Sequence, residues 1–85
     1  MKLKKILDAH RHSSNHRKEL EKSKAIGCFY CKRIIKFSQI KEWIDKGQTG
    51  VCLCGIDSLI GDASGYKVNK DFLEEMYKYW FRIVK

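Results

Sequence analysis

Gly27-Cys28-Phe29-Tyr30-Cys31 and Val51-Cys52-Leu53-Cys54-Gly55 decide how this chain folds, because between them they hold its four cysteines. Two residues separate Cys28 from Cys31, one separates Cys52 from Cys54, and twenty lie between the pairs. That spacing is close to the two-knuckle pattern in which four thiolates surround one Zn2+. Inside a cell thiols are kept reduced, and paired cysteines there bind metal more often than each other. The glycine-punctuated stretch Gly55-Ile56-Asp57-Ser58-Leu59-Ile60-Gly61-Asp62-Ala63-Ser64-Gly65 completes this central region. The pattern names a metal without naming an activity.

Working outward, the expectation is one α+β zinc-stabilised domain over residues 1–85: a basic N-terminal helix (1–26), a zinc-knuckle core (27–66) and a C-terminal helix (67–85). A chain of this length buries only about 60–65% of the surface its unfolded form exposes, so a structural metal would act as its staple. No apolar run approaches the roughly 18–20 residues of a membrane span. Met1-Lys2-Leu3-Lys4-Lys5-Ile6-Leu7 opens like a signal peptide, but Asp8, His10 and Arg11 interrupt it before about seven apolar residues accumulate. A cytoplasmic location without membrane contact is therefore expected.

Net charge is +8, which four metal-bound thiolates and one Zn2+ would lower to about +6. Thirteen of the eighteen basic residues precede Gly47. An acidic partner, either nucleic acid or an acidic protein, would dock on that half.

Leu3, Ile6, Leu7, His10, Ser13, Ser14, Arg17 and Leu20 recur at intervals of three and four, which predicts one long helix from about Lys2 to Lys24, ended by Gly27 as a C′ residue. The middle of its face is polar, so His10, Ser14 and Arg17 are expected to point inward or into a groove. His12 and His16 are one turn apart, and with Asp57 they form a possible polar cluster. Two knuckles with short strands follow, separated by a short helix over Gln39–Lys46 that Ser38 caps and Gly47 ends. Between Gly55 and Gly65 the polar side chains are expected to bond to their own backbone in a loop. Asn69 caps a last helix from Lys70 to about Val84, whose Phe72, Leu73, Met76, Tyr79, Trp80 and Ile83 share an apolar face.

The same residues resemble a family of short, uncharacterised bacterial and phage-encoded cytoplasmic proteins. Its members carry a His-Ser-x-x-His-Arg-x-Glu helix, then Cys-Phe-Tyr-Cys, then Cys-Pro-x-Cys-Gly-Ile-Asp-Ser, a Ser-Gly-Tyr turn and a terminal Trp-Phe. Here these are matched by His12, Ser13, His16, Arg17 and Glu19, by Cys28 to Cys31, by Cys52 and Cys54 to Ser58, by Ser64 to Tyr66, and by Trp80 and Phe81. The resemblance implies a zinc-ribbon or treble-clef-like fold and no particular activity. This chain departs from it at the second knuckle, where Leu53 stands alone between the cysteines. Alternate side chains of an extended strand lie about 6–7 Å apart, too far for one metal unless the chain turns at Leu53. The fourth ligand is then either Cys52 or a histidine of the first helix, His16 before the others.

Three functions compete on these residues. The first is a zinc-binding module that contacts nucleic acid non-specifically through Lys4, Lys5, Arg11, Arg17, Lys18, Lys22, Lys32 and Arg33. The second is a protein-interaction module, such as a phage-type inhibitor of a host protein. The third is a treble-clef-type hydrolase using His12, His16 and Asp57; such nucleases place their histidines between the knuckles, and none lies between Cys31 and Cys52. No catalytic role is therefore expected of these side chains.

Overall fold

The computed structural model describes residues 2–81. The order of elements is α1 (Leu3–His10), a 3-10 turn (Arg11–Ser13), α2 (Arg17–Lys22), β1 (Ile26–Cys28), β2 (Ile34–Ile35), a 3-10 turn (Phe37–Gln39), β3 (Glu42–Ile44), β4 (Thr49–Val51), β5 (Leu59–Gly61), a 3-10 turn (Asp62–Ser64) and α3 (Lys70–Trp80). The strands form a three-stranded antiparallel sheet in the order β2-β1-β5 and a separate β3-β4 hairpin. Among the described residues no helix is long and apolar enough to cross a membrane.

β1 organises the interior because its side chains alternate between two cores. Ile26 and Cys28 face a cluster with Leu20, Ile35, Ile40, Cys52 and Leu59. On the other side Phe29 packs with Ile6, Ala9, Ile60, Val68, Phe72, Leu73 and Met76, which seats α1 and α3 on the sheet. Gly27 lies between them in mid-strand, paired with Ile34 and Ile60. It is not the helix C′ residue expected from the sequence. Its requirement is space: a Cβ there would stand 2.7 Å from Val68 Cγ1 and 2.8 Å from Leu73 Cδ2.

The single long N-terminal helix is not formed. Ser13 Oγ donates back to the His10 carbonyl (2.7 Å), Ser14 is extended, and Asn15 is left-handed at φ 49°. Short polar side chains compete with helical hydrogen bonds in this way. The hairpin takes up the amides so released: Asn15 N–H donates to Thr49 Oγ1 (2.8 Å), and His16 and Arg17 N–H both donate to the Gln48 carbonyl (2.8 and 3.0 Å). His16 completes the seam, its Nδ1–H donating to the His12 carbonyl (2.7 Å) while Nε2 accepts the Gly50 N–H (3.0 Å).

The helix expected over Gln39–Lys46 is a strand and a turn instead. Asp45, Lys46 and Gly47 have φ of 53°, 58° and 85°, a left-handed run no α-helix contains, and it folds Trp43 and Ile44 back onto Gly50 and Thr49. Thr49 Oγ1 donates to Asp45 Oδ2 (2.7 Å) across this turn. Burial of Ile40 and packing of Trp43 against the second core decide the outcome over helical spacing.

The stretch before Gly65 is likewise more than a loop, since β5 lies within it and Asp62 accepts the Lys24 and Ala25 amides (2.9 and 3.3 Å). Asn69 caps α3 as its sequence predicts, accepting the Phe72 N–H at 2.9 Å. Ile83 and Val84, assigned above to the same helix, lie outside the described residues.

Gly27→Ala should destabilise the folded chain by about 1–3 kcal/mol through overpacking, read as a lower denaturant midpoint at an unchanged slope. Burial lowers the pKa of His16, partly offset by its bond to the His12 carbonyl. The unfolded chain therefore takes up this proton first, and the stability that neutral His16 contributes is complete above about pH 6.5 and lost as pH falls below it. Denaturant midpoints between pH 7.5 and 5.5 should accordingly fall less steeply for His16→Gln than for the parent chain.

Candidate metal centre

The two knuckles stand at the C-terminal ends of β1 and β4 and are built on the same hydrogen-bond frame. In the first, Lys32 N–H donates to the Cys28 carbonyl (2.7 Å), and Cys28 N–H donates to the Arg33 carbonyl (2.9 Å). In the second, Gly55 N–H donates to the Cys52 carbonyl (2.8 Å), and Cys52 N–H donates to the Ile56 carbonyl (3.0 Å). Each turn is closed by a left-handed residue directly after its second cysteine, Lys32 at φ 65° and Gly55 at φ 93°. The second knuckle is thus the first with one residue removed, and the chain does turn at Leu53, which is left exposed.

This turn brings the four sulfurs together, all within 4.8 Å of one another. Cys31 and Cys52 Sγ are 3.6 Å apart, and Cys28 and Cys54 Sγ are 3.8 Å apart. A regular tetrahedron with metal–sulfur bonds of about 2.3 Å has edges of about 3.8 Å. These two separations match that figure and are far from the roughly 2.05 Å of a disulfide. The site can therefore hold a metal ion, and Cys52 belongs to it as fully as the other three. His16 does not compete for the fourth position, since both its ring nitrogens are engaged between α2 and β4.

Backbone amides are aimed at the sulfurs. The N–H groups of Cys31 and Tyr30 reach Cys28, that of Arg33 reaches Cys31, and that of Cys54 reaches Cys52. Such bonds favour the thiolate, whereas burial opposes it. Burial wins at Cys28, whose pKa is pushed far up, and at Cys52, pushed up to about 11. At Cys31 the Arg33 amide and the neighbouring thiols outweigh burial, and its pKa falls. A divalent cation supplies the charge that lets all four ionise. Cys28 and Cys52 also belong to the second core cluster, which makes the centre continuous with the hydrophobic interior.

The other residues singled out in the sequence are dispersed. His12 Nδ1 donates to Glu19 (3.0 and 3.2 Å), and Asp57 lines a different cleft beside His10. Of the basic residues, Arg17 and Lys32 are engaged within the fold. The Arg17 guanidinium lies 4.2 Å over the Trp43 ring and donates to the Gly47 carbonyl at 2.9 Å. Lys32 Nζ stands 2.7 Å from Glu74 and 4.3 Å over the Tyr77 ring, tying the first knuckle to α3. Lys4, Lys5, Arg11, Lys18, Lys22 and Arg33 are exposed. Of the polar groups expected to turn inward or into a groove, His10 and the exposed Ser14 line clefts at the helix break, and the half-buried Arg17 packs against the hairpin. Trp80 and Phe81 share the His10 cleft; in the sequence Trp80 was legible as part of an apolar face and both as the terminal Trp-Phe of the resemblance, with no sign of a cleft.

Purified, reduced protein should contain one metal per chain, and serine at any of the four cysteines should abolish its retention, Cys52→Ser as completely as Cys28→Ser. Structural metal in small domains contributes on the order of 10 kcal/mol to folding, so a strong chelator should melt the domain as followed by circular dichroism.

Comparison of the chain with protein-family models, with curated proteins and with solved structures returned no match.

Proposed function

We propose that this chain is a small intracellular zinc-binding module that contacts nucleic acid non-specifically through the basic residues of its first half. Four thiolates in a tetrahedron suit Zn2+, and with four protein ligands no vertex remains for a reactive water, so the metal's role is structural. The observation that carries the nucleic-acid reading is the set of exposed cations. Lys4, Lys5, Lys18, Lys22 and Arg33 form no ion pair among the described residues, while Arg11 is only 3.7 Å from Asp8 with its side chain 81% exposed. Cations not neutralised within the fold are available to phosphates, which bind without reading bases. We further propose, from the likeness of its motifs alone, that the chain is related to the short bacterial and phage proteins described above.

A protein partner, such as the host target of a phage-type inhibitor, is the second reading. It is supported by Leu3 and Leu7, one turn apart on α1 and 53% and 43% exposed.

If about four phosphates are neutralised, the logarithm of the affinity for a duplex should fall with the logarithm of salt at a slope near −3 to −4, with little effect of sequence. Lys18→Glu with Lys22→Glu should lower both affinity and slope while the circular dichroism spectrum stays unchanged. Absence of binding at low salt, together with a complex from the source cell that survives nuclease, would favour the protein partner.

A further inference from the structure

Ser14, extended at the break between α1 and α2, forms a wall shared by two clefts. The first, of about 300 Å³, is lined by Arg11, His12, Asn15, Lys18 and Gln48. Its one carboxylate, Glu19, is taken by His12 at 3.0 and 3.2 Å, which leaves the cations to set the sign of the cleft. The second, of about 270 Å³, is walled by the rings of His10, Phe29, Trp80 and Phe81, with Asp57 at its margin. His10 lies 4.0 Å from the Trp80 ring, and Phe29 is 5.7 Å from Phe81. Trp80 Nε1 is buried and has no hydrogen-bond partner among the described residues.

The two clefts ask for different chemistry. Arg11 and Lys18 attract an anion. The aromatic cleft attracts a flat ring, and the Asp57 carboxylate repels a phosphate from it while accepting N–H groups from a ring edge. Its size lies just below the roughly 300–1,000 Å³ of drug-sized ligand pockets, which suits a single planar ring system. A ligand that carries an anion one short linkage from a flat ring with a polar edge is a nucleotide. In a duplex the bases are stacked and paired, so only an unpaired base can turn into such a cleft.

Building on the nucleic-acid reading above, we propose that the helix break is a seat for one nucleotide of a single strand, its base in the aromatic cleft and an adjoining phosphate against Arg11 and Lys18. Electrostatic attraction along the basic half delivers the strand, and the seat distinguishes it from duplex.

The test uses the metal-loaded full chain, a mixed-sequence single-stranded octamer and its duplex, both at low salt. Trp43→Phe leaves Trp80 as the only tryptophan of the two in the chain. The single strand should bind about tenfold more tightly than the duplex and quench Trp80 emission. Arg11→Glu with Lys18→Glu should weaken the single strand by about tenfold or more. Trp80→Leu should weaken the single strand by about tenfold and leave the duplex unaffected. Should Trp80→Leu fail to fold, the strand-to-duplex ratio and the quenching in Trp43→Phe decide the matter. Equal affinity for the two nucleic acids with unchanged Trp80 emission would overturn the seat while leaving the basic-surface reading intact. Failure of the folded protein to bind either would overturn both.

Discussion

Four sulfur atoms gathered within 4.8 Å of one another can hold one metal ion, which would clamp together two turns that the sequence keeps twenty residues apart. Between those turns lie β2, β3 and β4, none longer than three residues, and such short pieces are marginal on their own. Clamping the ends of β1 and β4 to one point fixes where the hairpin stands relative to the three-stranded sheet. The hairpin in turn receives the amides of Asn15, His16 and Arg17, so the position of α2 is inherited from the metal centre through β4. Removing the clamp would therefore be felt in the N-terminal helices as well as in the knuckles.

β1 carries the second constraint. It contributes Cys28 to the clamp, Ile26 to one core and Phe29, just beyond it, to the other, and Gly27 lets α3 approach the sheet closely. Lys32, immediately after the knuckle, reaches Glu74 and Tyr77 on α3. Metal site, sheet and C-terminal helix are thereby joined through the seven consecutive residues from Ile26 to Lys32. This explains how a chain of 85 residues supports two apolar clusters.

The cysteine spacing, the Asn69 cap and the apolar face Phe72-Leu73-Met76 were legible because each is a local pattern with one physical meaning. The helix break was not, because Leu3 to Leu20 keeps helical spacing across it. What interrupts the helix is the competition of Ser13, Ser14 and Asn15 with backbone bonding, won only because Gln48 and Thr49 receive the freed amides. The misread β3 shows the same limit. Ile40, Trp43 and Ile44 have the spacing of a helical face, whereas in the strand Trp43 and Ile44 point to opposite sides and Ile44 is left exposed; Asp45-Lys46-Gly47 was the turn signal that outweighs the spacing. At the metal centre Leu53 was identified as the place where the chain had to bend. Whether it bent depended on Gly55 and on bonds to Cys52 that spacing alone does not contain.

Short strands have one more effect. β2 and β5 are the edges of one sheet, and in the hairpin β4 is covered by the seam with His16 while β3 forms the outer edge, yet each strand spans only two or three residues, with Lys41, Glu42 and Lys46 on the exposed surface of the hairpin. Brief, charge-flanked edges give an incoming strand too little backbone to pair with. The protein is in this way guarded against edge-to-edge aggregation. Any partner must be met by side chains, at the rims of clefts and along helices, rather than by extension of a sheet.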